Sequence, residues 1–378
     1  EKGIDIALPA TFGLPDLVSA NAIKNLDSYA SRYEPKGFQK DALYTLGDYY
    51  RGRLYGYQTD GDAYMMFYHR DMLSNKDNVS HYQDQFGRVL KTPDTWEELD
   101  RQIRFFHRPD KKQYGGALFR TPSYLVWEWW IRFHGKGFFP LADSLEPQIN
   151  NEAGIKALEE LIDVSQYLSP GAFSNGLFEN WKEYGQGNIY CNIGWGGTQK
   201  YLKTSSAMKG RLSYGSTPGG VVQGQLVDVP YFNWGWNYAV PESANHPEVA
   251  YLFSLFATSP VVSSLAVREN GYFDPFRELH YQDEKVQDMY GEEFLVAHAR
   301  SMKNSIPDFY ISGRGQYVGA LQDNLQRALL GKMTPKDALD LTARTWKRLH
   351  RRFNTETIKK EWMYIKSQYP AKILKLFF

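Results

Sequence analysis

The 378-residue chain contains a single cysteine, Cys191. An intramolecular disulfide and a cysteine-cluster metal site each need at least two cysteines, so the sequence excludes both. Cys191 lies in the strand-like stretch GNIYCNIGW, where we expect a buried, unreactive thiol. The lack of disulfides does not fix the compartment, because many exported proteins of this size are held together by their cores alone.

The sequence also has no long apolar run and almost no net charge. No run approaches the roughly 18 apolar residues of a membrane span. The 44 Lys and Arg residues balance 43 Asp and Glu residues, so the net charge of +1 gives no field that favours nucleic acid or a membrane surface. The basic run at 346–352 is interpreted as a solvated helix face. A neutral or zwitterionic small molecule suits this balance better.

Catalytic motifs are scarce as well. The eight histidines are scattered without an HExxH pair, and no Ser-His-Asp or Cys-His motif is present. One carboxylate pair stands out, Asp60 and Asp62, between two extended segments at 54–58 and 63–69 that are rich in Tyr, Phe and Met. Burying an unpaired carboxylate is costly. The pair therefore faces either water, as the tip of an Asp-Gly hairpin, or a ligand.

A glycoside hydrolase is the alternative that this pair leaves open. Strand alternation places Asp60 and Asp62 on one face, about 6.5–7 Å apart along the backbone, so their spacing does not exclude catalysis. The sequence has no second acidic cluster to support catalysis. We therefore predict a protein that is not an enzyme and that has no cofactor or metal.

Aromatic residues, in contrast, are abundant, with 27 Tyr, 22 Phe and 10 Trp. Most of them lie in polar neighbourhoods, which is typical of amphipathic contact surfaces. A sugar matches such surfaces, because its ring faces pack on aromatic planes while planar polar groups bind its hydroxyls.

Hydrophobic periodicity predicts alternating strands and helices. This alternation indicates an α/β fold with mainly parallel sheets, and the length indicates two lobes. No flexible linker is visible, so we expect strands near 58–62 and 231–236 to cross between the lobes. The predicted elements are strands at 3–8, 115–120 and 189–193, helices at 16–26, 38–50, 124–134, 151–168, 248–257 and 260–268, a helix with a capping box at Thr95 and Glu98, and helices from 317 to the end.

The order of the motifs resembles that of family 1 extracellular solute-binding proteins, of the maltose-binding-protein type. The motifs are GxLYGYQ, RDML, TPDTWEEL, EYGQGNIYCNIGW and the two helices entered through proline. The resemblance covers residues 4 to about 350. It implies two α/β lobes joined by crossover hinge strands, with 1–59 and 236–302 in the N-terminal lobe and 61–235 and 304–378 in the C-terminal lobe. The family usually has a strand, a helix and a strand before the equivalent of 3–8, so we expect that an N-terminal segment is missing.

The resemblance also implies a function. Such proteins are receptors of ABC importers that capture a sugar, oligosaccharide or polyol in an aromatic-lined cleft by hinge closure. The expected partners are a carbohydrate ligand and the membrane permease of an ABC importer, with no nucleic acid. The expected form is an exported monomer, periplasmic or extracellular.

Five aromatic residues beside Gly-rich or loop segments are predicted to bind the ligand. Trp195 lies between glycines that clear space around its indole, although a Trp that plugs the core is the alternative. Trp234 and Trp236 share one face of a strand. Phe12 and Tyr317 fall where the resemblance implies aromatic contacts, although the neighbouring stretch 314–316 is an alternative to Tyr317.

The other predicted ligand-binding residues are polar or lie at a strand end. Arg120 and Tyr124 follow the strand at 115–119, at the carboxyl end of a sheet, where open α/β sheets bind ligands. Arg277 suits a structural ion pair equally well. Asp60 and Asp62 become cleft residues if their segment is the first hinge strand.

Overall fold

The computed structural model describes residues 3–232, 235–269 and 273–378. The strands are β1 (Tyr49–Tyr50), β2 (Arg53–Leu54), β3 (Tyr57–Gln58), β4 (Met65–His69), β5 (Tyr114–Ala117), β6 (Ile189–Gly194), β7 (Leu212–Ser216), β8 (Gly220–Val222), β9 (Gln225–Val227) and β10 (Asn237–Tyr238). The helices are α1 (Leu14–Ser19), α2 (Asp27–Tyr33), α3 (Arg70–Ser74), α4 (Lys76–Phe86), α5 (Trp96–Phe106), α6 (Pro122–His134), α7 (Glu152–Ser165), α8 (Leu177–Tyr184), α9 (Gly196–Ser205), α10 (Pro247–Thr258), α11 (Pro260–Arg268), α12 (Glu284–Tyr290), α13 (Glu292–Asn304), α14 (Arg314–Leu329), α15 (Pro335–Arg352), α16 (Thr355–Ser367) and α17 (Ala371–Leu376).

A four-stranded sheet in the order β5-β6-β4-β7 organises the larger part of the chain. β5 and β6 are parallel, whereas β4 runs antiparallel to both β6 and β7. The prediction of mainly parallel sheets is therefore wrong for this sheet. β4 enters it from the carboxylate segment and lies between two strands that come more than a hundred residues later.

Both faces of β4 are buried, and alternate side chains point to opposite sides. Met66 and Tyr68 face a core built with α5, α6, α7 and the C-terminal helices α14 to α17. Met65 and Phe67 face a second core that includes residues of α9, α12 and α13. Each such side chain stabilises the fold by about 1.5–3 kcal/mol through burial, which explains the unbroken apolar run of this strand.

The predicted helix after Thr95 is confirmed as α5. The Thr95 hydroxyl accepts a hydrogen bond from the backbone N–H of Glu98 at 3.3 Å, which satisfies one of the free donors at the helix start. The Glu98 carboxylate contacts Tyr82 and Arg101. It does not return to the N-cap as the predicted capping box requires.

The smaller part of the chain surrounds the β3–β10 pair. Leu26, Leu54 and Tyr57 pack there against Tyr251 and Leu255 of α10. Among the described residues no single helix is long and apolar enough to cross a membrane; α10 and α11 together pass that test by length and composition only, with a bend of 65° between them.

Three of the predicted elements in the N-terminal part are wrong. Residues 3–8 form no strand beyond one bridge, Ala7 to Ala239. The helix predicted at 16–26 is the shorter α1, and it ends before Asn21, which has a φ of 54°. The segment 38–50 is not a helix, because Ala42 and Leu43 pair with the distant Phe276–Arg277 stretch.

Two neighbouring segments, 57–64 and 231–238, connect these two parts of the chain. β3 and β10 are paired, Thr59 N–H donates to the carbonyl of Trp236 at 2.9 Å, and Tyr64 N–H donates to the carbonyl of Tyr231 at 2.9 Å. Asp60 and Asp62 lie in the first segment, between β3 and β4. Residues of α12 and α13 pack in the same core as Met65 and Phe67 of the four-stranded sheet.

Candidate functional site

A cavity of about 520 Å³ adjoins the carboxylate segment. Its polar floor contains Asp60, Asp62 and Asp274. Most of the other lining side chains are aromatic, and they come from five separate places in the chain: Tyr124, the α8 residues Phe178 and Trp181, Trp195, Trp236 and Phe273. The cavity thus combines charged acceptors with flat apolar surfaces.

The structure brings five of the ten predicted ligand-binding residues to this cavity. These are Asp60, Asp62, Tyr124, Trp195 and Trp236. Trp234 lies outside the described residues.

The three floor carboxylates form a close cluster. Each offers an oxygen atom that lies within 4.8 Å of the others. Asp60 is 1% exposed and Asp62 is 9% exposed. The interpretation of the pair as the tip of a hairpin in solvent is therefore wrong.

Main-chain donors and one tyrosine hold two of these carboxylates in place. Asp60 Oδ1 accepts hydrogen bonds from the N–H of Gly61 at 2.8 Å and of Asp274 at 2.6 Å. Asp274 accepts from the N–H of Gly197 at 3.0 Å and from the Tyr290 hydroxyl at 2.6 Å. The Asp62 carboxyl lies beside the carboxyls of Asp60 and Asp274, with an oxygen atom within 4.8 Å of theirs.

Burial and mutual repulsion make this floor costly to ionise. Burial, and then the charge of Asp274, raise the pKa of Asp60 well above its usual value. Burial, and then the charges of Asp60 and Asp274, do the same to the pKa of Asp62. Lys200 on α9 offsets part of the charge, although burial lowers its own pKa. Its Nζ donates to the carbonyl oxygens of Phe273 at 2.9 Å and Glu269 at 3.2 Å.

The glycines after Trp195 shape the floor. Trp195 is the N-cap of α9, and Gly196 and Gly197 form its first turn. A Cβ atom on Gly196 would lie 2.3 to 2.5 Å from the three carboxylate atoms of Asp274. Only glycine therefore lets the helix start approach this carboxylate and donate the Gly197 N–H to it.

Two aromatic groups form the walls. The Trp195 ring packs edge-to-face on Tyr64, with ring centroids 4.7 Å apart, and lies 6.1 Å from Tyr124. Trp181 stacks on Tyr201 at 5.6 Å. These neighbours hold the rings in fixed orientations, which lowers the entropy that a ligand must remove when it stacks on them.

Arg120, Arg277 and Tyr317 lie away from the cavity in buried structural positions. Arg120 binds the Glu128 carboxylate at 2.7 Å. Arg277 donates to the carbonyls of Phe38 and Thr258 and pairs with Asp41. Tyr317 packs on Trp346, with ring centroids 5.6 Å apart. We therefore leave these three out of the proposed site.

Phe12 and residues 314–316 are not among the described residues that line the cavity. The Arg314 guanidinium lies 4.7 Å from the centroid of the Phe12 ring and pairs with Asp308 at 2.8 Å. Gly315 N–H donates to Asp16, and Gln316 accepts from Arg352. None of them lines the cavity in the described part of the chain, so they are also left out.

Asp274 was missed in the sequence. The only local signal is an acidic residue before a proline in FDPFR, and that pattern is common in ordinary turns. Its partner Asp60 is 214 residues away.

The geometry of the floor does not favour the glycosidase alternative. A glycosidase places its two carboxyl groups on either side of the scissile bond, whereas the acidic residues among the described lining residues all belong to this one cluster. Three carboxylates could also ligate a divalent cation. However, Asp60 and Asp274 already accept four protein hydrogen bonds between them, so we assign no metal.

The raised pKa values predict that Asp62→Asn stabilises the ligand-free protein at neutral pH, by about 0.5–2 kcal/mol. An Asp whose pKa is raised on folding binds more protons when folded, so its ionisation costs stability as pH rises above the usual value near 3.8. The gain should therefore shrink as pH falls towards about 4. Urea unfolding of both proteins across this range measures it. A variant that is less stable than the wild type at pH 7 would contradict the prediction.

Comparison with known proteins identifies the family. The model of the bacterial extracellular solute-binding proteins matches residues 2–262. The chain belongs to this family. The predicted resemblance is thereby confirmed, and the family consists of transport-associated binding proteins and not of enzymes.

Solved structures share the fold. Maltose-bound MalE3 of T. maritima matches with a TM-score of 0.77 at 17% identity, over 92% of this chain and 85% of that one. A solute-binding protein of an ABC transporter from Thermotoga lettingae, bound to α-D-tagatose, matches with a TM-score of 0.76 at 19% identity, over 91% and 84%. One from Agrobacterium radiobacter, in complex with ribitol, matches with a TM-score of 0.76 at 20% identity, over 92% and 85%. The predicted bilobal α/β fold is confirmed.

Proposed function

We propose that this solute-binding protein is the receptor of an ABC importer and captures a carbohydrate, which is a sugar, an oligosaccharide or a polyol. The observation that carries the proposal is the cavity itself, with carboxylates on its floor and aromatic rings on its walls. The similar structures with bound maltose, tagatose and ribitol support the same ligand class.

The cavity offers both kinds of contact that a sugar needs. A ring face packs on Trp195 or Trp236, while adjacent hydroxyls donate to Asp60 and Asp62. Each of these hydrogen bonds is worth about 0.5–1.5 kcal/mol with a neutral carboxyl and about 1.5–3 kcal/mol with an ionised one. Five of the residues predicted from the sequence take part in this proposed site: Asp60, Asp62, Tyr124, Trp195 and Trp236.

We propose that the segments 57–64 and 231–238 are the hinge. Residues 3–59 and 236–258 then form one lobe around the β3–β10 pair, and the four-stranded sheet with its helices, including α12 and α13, forms the other. Closure about paired short strands is a common way to enclose a ligand between two lobes. Because Asp60, Asp62 and Trp236 lie in the hinge segments, ligand contact and closure are coupled directly.

The remaining parts of the proposal follow from the family. The protein is exported, to the periplasm or the cell exterior, acts as a monomer and delivers its ligand to a membrane permease. It is not an enzyme and binds no nucleic acid. Incubation with oligosaccharides would show turnover if the glycosidase alternative held.

Thermal-shift screening with carbohydrates tests the proposed ligand class. A ligand at a hundred times its Kd stabilises a protein by about 2.7 kcal/mol, so the cognate sugar is expected to raise the Tm clearly. Phe178→Ala should then weaken the affinity about tenfold, because an aromatic contact is worth about 0.5–1.5 kcal/mol beyond its buried area. Isothermal titration calorimetry measures this change.

Phe173→Ala is the matched control for that substitution. Phe173 and Phe178 are 48% and 49% exposed, but only Phe178 lines the cavity. Loss of the Phe173 ring should leave the affinity unchanged. Equal effects of the two substitutions, or the absence of any stabilising carbohydrate, would contradict the proposal.

A further inference from the structure

The charge of the cavity lining has one sign. Within the part of the chain that the structure describes, the charged residues that line the cavity are Asp60, Asp62 and Asp274. Lys200 is close enough to interact with all three carboxylates. It does not line the cavity, and its Nζ donates to two backbone carbonyls. A ligand in the cavity therefore contacts acidic side chains, and no basic side chain is among the described lining residues.

The described lining residues also offer more hydrogen-bond acceptors than donors. A sugar hydroxyl both donates and accepts, whereas an ionised carboxylate only accepts. A cation in the cavity opposes the effects that raise the pKa of Asp60 and Asp62, and so favours this ionised form. No Arg, Asn or Gln, the planar donors that usually serve hydroxyl oxygens, is found among the described lining residues. Trp236 lines the same cavity, and its indole has a single N–H donor. The floor thus calls for a ligand group with several donors, and a protonated amine is such a group, since it has donors and no acceptor.

The walls suit a cation as well. Aromatic faces attract an ammonium group through their quadrupoles, most strongly when water is excluded. Trp195, Trp236 and Tyr124 all border the same space as the carboxylates. An amine on a sugar ring can therefore reach the floor while the ring stacks on a wall.

We propose that the ligand is an amine-bearing carbohydrate, an amino sugar or an aminocyclitol, whose ammonium group binds at Asp60 and Asp62 while its ring packs on Trp195 or Trp236. This inference rests on the proposed function of carbohydrate capture and narrows its ligand class. Binding of the ammonium replaces the repulsion among the three carboxylates by attraction.

The other ionisable groups around the floor do not compete with this ligand. Tyr290 of α12 donates to Asp274, and Lys200 of α9 is directed to carbonyls. His298 of α13 donates to the carbonyl of Gly61 at 2.7 Å, and burial lowers its pKa. Tyr281 contacts the other ring nitrogen of His298 at 2.7 Å. The carboxylates are thus the groups that change charge when the ligand binds.

Matched pairs of ligands test the proposal. The pairs are glucosamine with glucose, galactosamine with galactose, mannosamine with mannose, and chitosan oligosaccharides with cello-oligosaccharides of equal length. Calorimetric titration at about pH 6 keeps the amine protonated. We expect at least one amine to bind tenfold or more tightly than its neutral partner, and to lose affinity when the pH is raised above the pKa of the amine.

The variant Asp62→Asn separates charge from shape. It should reduce the affinity for the amine tenfold or more and reduce that for the neutral partner less, whereas Phe178→Ala should weaken both alike. Neutral sugars or polyols that bind more tightly than every amine, or equal losses for both partners in Asp62→Asn, would overturn the inference and leave the proposed function in place. Failure of every carbohydrate to bind would overturn both.

Discussion

Replacing Glu128 by alanine is expected to lower the free energy of unfolding by about 3–5 kcal/mol. Glu128 lies in the core on α6, where its carboxylate accepts hydrogen bonds from Arg120 at 2.7 and 3.2 Å and from Arg132 at 2.9 Å. Arg132 also forms a two-pronged contact with Asp100, at 2.7 and 2.8 Å. Without the Glu128 carboxylate, Asp100 still pairs with Arg132, but Arg120 loses its carboxylate partner. Removing one partner of a buried ion pair is strongly destabilising, because it leaves a buried charge uncompensated.

Urea unfolding of Glu128→Ala measures this loss. Glu97→Ala is the matched control, since Glu97 pairs with Arg101 on α5 but its side chain is 77% exposed. Exposed pairs are worth about 0–1 kcal/mol, so little change is expected there. A loss below about 1 kcal/mol for Glu128→Ala would contradict the assigned role of the network.

The pH dependence of the stability of Glu128→Gln is a second test of the same ion-pair network. Burial raises the pKa of Glu128, but Arg120 and Arg132 outweigh burial and lower it below the usual value near 4.5. A carboxylate with a lowered pKa contributes stability above the unfolded value and loses it as pH falls through the folded value. The difference in stability between the wild type and Glu128→Gln should therefore be full at neutral pH and shrink below about pH 4.5.

Arg120 illustrates what the sequence could not disclose. Its place after β5, at the end of a sheet strand, is typical of ligand contacts in α/β proteins. Its role is instead decided by Glu128, two helical turns later, and by the burial of both side chains. The distinction depends on which face of α6 packs inward, and a helix with apolar residues on all sides does not indicate that face.

The elements that were predicted correctly are those with local causes. Thr95 caps α5, proline starts α10 and α11, and apolar spacing defines α7, because the signals lie within a few residues of each element. The segment 38–50 was predicted wrongly as a helix. Its backbone bonds to residues 276 and 277, and tertiary pairing of that range overrides local propensity.

The same distinction between local and long-range signals applies to the candidate site. Asp60, Asp62 and Trp195 could be identified, because carboxylates inside an apolar run and a tryptophan among glycines are unusual locally. The third carboxylate, Asp274, is held at the floor by long-range hydrogen bonds with Asp60, Gly197 and Tyr290, and Asp60 lies 214 residues away in the chain. A contact of that kind leaves no pattern in a single sequence.

Replacing Gly196 by alanine is expected to cost about 3 kcal/mol or more of stability, and to weaken ligand binding at least tenfold. The added Cβ would lie 2.3 to 2.5 Å from the Asp274 carboxylate, which is fully buried. The carboxylate has to move, and it then loses the hydrogen bonds from Gly197 and Tyr290. Hydrogen bonds to a charged group contribute about 1.5–3 kcal/mol each.

Gly319→Ala is the control for the general effect of this substitution in a helix. Gly319 lies inside α14 with nothing within 4 Å of the position of a Cβ atom. Alanine there should be neutral or stabilise the protein by up to about 1 kcal/mol. Gly196→Ala with wild-type stability and affinity would contradict the close approach between α9 and Asp274.

A double-mutant cycle identifies Asp274 as the origin of the Gly196→Ala effect. In an Asp274→Ala background the clash has no carboxylate to displace, so Gly196→Ala should cost much less than it does in the wild type. Residues in contact typically show coupling energies of about 0.5–3 kcal/mol, and we expect a value in the upper half of that range. Additive losses would place the strain elsewhere on the first turn of α9. A strong coupling would establish that the helix start and the cavity floor are positioned by the same contact, so that the glycines after Trp195 determine the geometry of all three carboxylates.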